Sequence, residues 1–147
     1  MTTDDPHVAV LAAHPLLADR WAAMAAAIWE HEAISHRVLE LCRIRVAQLL
    51  GVDWAVEYRT PGLDVLEAKA LSVGAWPTAD PINDLEQACL AIAELFVIDV
   101  HALTDEQMAD LSDRVGAQGL IQLTTALAVW DGIYRTSLTL DFDDGPE

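Results

Sequence analysis

Basic side chains are scarce in this sequence. Eight lysines and arginines stand against twenty-four aspartates and glutamates, a formal net charge of −16. A surface that acidic repels phosphate backbones and anionic head groups, so neither nucleic acid nor a membrane is expected as a partner. Cysteine is nearly absent as well. Cys42 and Cys89 both fall inside predicted helices without ligand-like spacing, so no disulfide framework, no metal site and no cofactor is expected. Long apolar runs are missing: the longest, 88–102, is interrupted by Glu94, Asp99 and His101 and is too short to span a bilayer. The opening MTTDDPH has no basic segment followed by an apolar one, so a cytoplasmic location is expected.

What remains is rich in Ala, Leu and Glu, with 53% apolar residues in 147. That composition predicts one all-α domain of six or seven helices over residues 1–140, followed by an acidic, frayed tail at 141–147. Asp5-Pro6 starts a short helix that stops before His14-Pro15. A second helix runs from Pro15 to about His31, and its alanines between Trp21 and Trp29 suit close helix packing. Ser35 caps a third helix, His36 to Leu50, which Gly51 stops. Asp53 caps a short piece through Arg59, and another runs from Leu63 to Ser72, ended by Gly74. The segment 75–83, with two prolines, is a loop. Asn83 caps a long helix to about Ala102. Thr104 to Gln107 forms a capping box for a helix ending near Gly116, and the last helix spans Ala117 to Leu140.

Two charges stand on apolar helical faces. Arg45 falls among Val38, Leu41, Cys42 and Leu49, and Glu94 among Leu90, Ala91, Val97 and Ile98. Buried charges need partners, so Arg45 and Glu94 are expected to form a largely buried structural ion pair. Glu40 has an ordinary reading as a solvated i,i+3 partner of Arg37 or Arg43. Asp131 and Arg135 form an ordinary i,i+4 surface pair.

The stretch Glu40-Leu41-x-x-Ile44-Arg45-Val46-Ala47, then Leu50-Gly51, resembles the core motif of the carboxymuconolactone decarboxylase and alkylhydroperoxidase D-like family. The resemblance implies an all-α, oligomeric protein: a homo-oligomer, as a dimer, trimer or hexamer. It also implies a redox CxxC and a histidine, but Val52, Ala55 and Arg59 hold those positions. Neither Val52 nor Ala55 can supply a thiolate, and an arginine cannot shuttle a proton. The expectation is therefore a redox-inactive family member that binds or transforms a small organic acid. By the resemblance Glu40 is the candidate catalytic acid or base and Arg59 the carboxylate clamp. Trp54, Glu57 and Tyr58 would line the pocket, closed by Trp130 or Tyr134. A non-enzymatic oligomeric relative is the alternative, and a peroxidase with an atypical site the remote one.

Overall fold

The computed structural model describes residues 5–142 and is all-helical, with seven α-helices and no strand among them. They are α1 (Pro6–Ala9), α2 (Pro15–Glu30), α3 (His36–Leu50), α4 (Asp53–Glu57), α5 (Glu67–Ser72), α6 (Asp84–Ile98) and α7 (Asp105–Thr139), with 3-10 turns at Val73–Ala75 and Val100–Ala102. No described helix is long and apolar enough to cross a membrane.

Helix α3 runs through the centre. It packs against α6 on one side and α7 on another, with α4 and α5 covering more of it. Nine of its fifteen residues are buried, and they fall all round the helix rather than on one stripe. That is why its polar residues matter: Glu40 and Arg43 lie inside the protein. Helix α7 buries the face given by Leu123, Ala126, Leu127, Trp130, Ile133, Tyr134 and Ser137, a spacing of three and four.

The ends follow local chemistry. Asp5 accepts from the His7 N–H and sets Pro6 at the first helical position of α1. Asn83 with Glu86, and Thr104 with Gln107, form complete capping boxes. Gly51 takes a left-handed conformation (φ 73°) and ends α3. Gly116 breaks α7 into two arms with φ 72° and ψ 176°, a region essentially reserved for glycine. At the kink Val115 folds so far over Gly119 that a Cβ there would stand 2.6 Å from the Val115 Cβ.

Several boundaries differ from expectation. Asp53 is the first residue of α4 rather than its cap, and α4 stops at Glu57, before Arg59. α5 begins at Glu67, not Leu63, after the turn at Pro61-Gly62. α6 stops at Ile98 because the Asp99 side chain accepts from the His101 N–H and starts a 3-10 turn instead. The chain end is not frayed at its start. Asp141 adopts φ 56°, and Phe142 turns back so that its N–H reaches the Ser137 carbonyl at 2.9 Å and its ring packs edge-on against Trp54. Residues 143–147 of the expected tail, like 1–4, lie outside the described residues.

Candidate functional site

A cavity of about 620 Å³ opens between α1, α2, the Tyr58–Pro61 segment and Trp130 of α7, in the size range of small-molecule sites. Its α2 wall is Trp21, Ala25, Ala26 and Trp29, spaced to lie on one face. The alanines that suited close helix packing instead line the cavity between the two tryptophans. Trp29 and Trp130 meet at 6.0 Å between ring centroids.

The floor of the cavity is polar and internally satisfied. Glu40 and Arg43, both 1% exposed, pair through two parallel bonds, Nε to Oε2 at 2.9 Å and Nη2 to Oε1 at 2.7 Å. Arg43 gives its other N–H groups to the Ala55 carbonyl (2.8 Å), the Tyr58 carbonyl (2.7 Å) and the Tyr134 hydroxyl (3.0 Å). All five guanidinium donors are thus used. Glu40 accepts two further bonds from Thr60, at Oε1 from its N–H (3.0 Å) and at Oε2 from its hydroxyl (2.7 Å). Its acceptor positions are filled as well. Burial works against both charges. Arg43 and Thr60 nonetheless hold the Glu40 carboxyl below its ordinary range, and Tyr134 and Glu40 keep Arg43 firmly protonated.

The network continues outward from Tyr134. Its hydroxyl lies 2.8 Å from His7 Nε2, and His7 Nδ1 lies 2.7 Å from Asp5 Oδ1. One tautomer satisfies every bond: Nδ1–H donates to Asp5, and Tyr134 donates to Nε2 while accepting from Arg43. Burial, with the Arg43 charge nearby, pushes the His7 pKa down, so the ring is neutral. Burial alone would raise the Asp5 carboxyl, but the hydrogen bonds from His7 and the nearby Arg43 charge hold it low. Burial pushes Tyr134 up to about 12. His7 also stacks on Trp21 at 5.7 Å and meets Trp54 and Tyr58 edge-on.

These positions correct the expected site. Glu40 is neither a solvated surface partner nor, with its lone pairs all engaged, open to a substrate proton. It anchors Thr60 and, through Arg43, the 55–58 segment to α3. Arg59 does not reach the cavity. It bonds the Val56 and Tyr58 carbonyls and pairs with Glu67 at 2.9 Å, so the carboxylate clamp is not formed. Glu57 is exposed and away from the cavity. Trp54 lies behind it, its indole N–H on Ser137 Oγ at 3.1 Å. Tyr58 and Trp130 do line it, and Tyr134 supports its floor. Arg45 donates to Glu94 (Nε, 2.8 Å), which also accepts from Trp76 Nε1 at 2.7 Å. At 17% and 23% exposed that pair is partly rather than fully buried, and it faces α6, away from the cavity.

His7, Arg43, Trp21, Trp29 and Asp5 were not among the expected site residues. Only the two tryptophans carried a signal, their eight-residue spacing on one face of α2. Both cysteines are fully buried, which pushes Cys42 well up and Cys89 to about 12. Among the described residues no group of three His, Cys, Asp or Glu side chains is placed to hold a metal ion. The chain matches no protein-family model, no curated protein and no solved structure.

Proposed function

We propose that this is a redox-inactive relative of the carboxymuconolactone decarboxylase and alkylhydroperoxidase D-like proteins that lacks their CxxC, and that it binds a small molecule in its helical cavity without redox turnover. The family half of the proposal rests on the α3 motif. The binding half rests on one observation: an aromatic-walled cavity of about 620 Å³ above a floor whose buried donors and acceptors are already paired. A floor of that kind holds shape but offers no reactive lone pair at Glu40 and no thiolate at Cys42 or Cys89. The neutral fluorescent probe N-phenyl-1-naphthylamine is expected to bind saturably, and Ala26→Phe, which fills the cavity, to abolish binding with the melting temperature kept. Dithiol-coupled peroxide consumption should stay at background. Binding that is absent, or unchanged in Ala26→Phe, overturns the reading.

Self-association is the second reading, and a separate surface favours it. A shallow apolar groove of about 440 Å³ lies between α2 and α7, where Met24 is 50% and Ile121 65% exposed. A second copy covering it would give the expected homo-oligomer. Light scattering at micromolar concentration decides this: a particle of one chain's mass, 16.0 kDa, rejects it.

A further inference from the structure

We infer that the cavity takes a small organic cation, a quaternary or protonated amine carried on an apolar body. This deepens the binding reading above and rests on it. The walls supply the first reason. Trp21, Trp29, Trp130 and Tyr58 all border the cavity, and aromatic faces attract a cation through their quadrupoles, tryptophan most strongly.

The balance of charge supplies the second. Among the described residues bordering the cavity only Arg43 is a cation, and its five donors are consumed by Glu40, Tyr134 and two carbonyls. An anionic ligand therefore finds no donor from a cationic side chain. Against Arg43 stand Glu40 beneath it and Asp5 and Glu30 at the border, so among the described residues one positive charge meets three negative ones. His7 is neutral and adds nothing to the positive side.

Asp5 supplies the third. It is 8% exposed, and its Oδ1 takes both His7 bonds. Among the described residues nothing bonds its Oδ2, and Asp5 borders the cavity. A carboxylate held ionised at the border of a tryptophan-walled cavity is a counter-charge for an ammonium group. Glu30, exposed at the end of α2, adds a second at the rim. The chain's net charge of −16 draws cations toward the opening.

Three probes of one shape and different charge test this: choline, 3,3-dimethyl-1-butanol and 3,3-dimethylbutanoate, each displacing N-phenyl-1-naphthylamine. Choline is expected to bind at least about 10-fold tighter than the neutral alcohol, and the acid weakest. Trp29→Leu should weaken choline about 5- to 30-fold and the alcohol much less. Asp5→Asn, which keeps a carbonyl to cap α1, and Glu30→Gln on the surface should each shrink the preference for charge. The inference is overturned if the alcohol binds as well as choline, if the acid binds best, if no probe displaces the dye, or if neither acidic variant changes the preference. Dye binding that persists without any such preference leaves the binding reading standing and removes only the cation. Loss of saturable dye binding removes both.

Discussion

Arg43→Met is expected to lower the stability of the protein by about 3–5 kcal/mol, the usual range for leaving one buried charge without its partner. For a domain of this size that is a fall of roughly 10 °C in melting temperature. The reason is the number of groups the guanidinium satisfies. Without it Glu40 keeps only the two Thr60 bonds, and the carbonyls of Ala55 and Tyr58 lose their shared donor. Those carbonyls belong to the segment that forms the cavity edge, so dye binding should fall with stability. Glu40→Leu combined with Arg43→Met removes both charges and should recover part of the loss, because a buried pair is often replaceable by apolar groups. Recovery cannot be complete, since the Ala55 carbonyl and the Thr60 donors stay unpaired, while the Tyr58 carbonyl keeps Arg59. A double-mutant cycle by urea denaturation measures this coupling. A melting temperature unchanged in Arg43→Met would mean the pair is not buried as described.

Much of the helix pattern was legible because it is written locally. The cap at Asn83, the capping box at Thr104, the glycine stop at Gly51 and the break at Gly116 each depend on neighbours within a few residues. The cavity was not legible for the opposite reason. Arg43 stands three residues from Glu40, and the spacing alone does not say whether the pair faces water. α7 and the 55–60 segment decide that, and they arrive from 91 and about 15 residues away. Arg59 occupies a position that implied a pocket, yet Glu67, eight residues on, holds its guanidinium elsewhere. His7 looked like part of a helix start, while its partner Tyr134 is 127 residues distant. The Trp21–Trp29 spacing was visible, but whether the alanines between them meet a helix or a space depends on what packs opposite.

Tyr134→Phe carries the second large effect, about 2–4 kcal/mol, because it strips a partner from two buried groups at once: an Arg43 N–H and His7 Nε2. It should also change how stability depends on pH. In the native chain His7 has a pKa below its ordinary 6.5, chiefly through burial. Its contribution is complete above about 6.5 and is lost as pH falls from there toward the folded value, since the unfolded chain takes up a proton that the folded one refuses. Asp5 and Glu40 are held below their ordinary 3.8 and 4.5, so their contributions are lost lower still, as pH falls through their folded values. Tyr134 lies raised at about 12, so its contribution is present below about 10 and lost as pH rises between the two. The native protein should therefore show a stability plateau near neutral to mildly alkaline pH and a two-stage decline in acid. In Tyr134→Phe the hydrogen bond that favours neutral His7 is gone, so the first acid stage should shrink while the second remains. Urea midpoints measured from about pH 2 to pH 9 read both stages. A native midpoint that stays flat between about pH 7 and pH 5 would show that His7 is not held neutral, and the chain of bonds from Asp5 to Arg43 would need a different protonation.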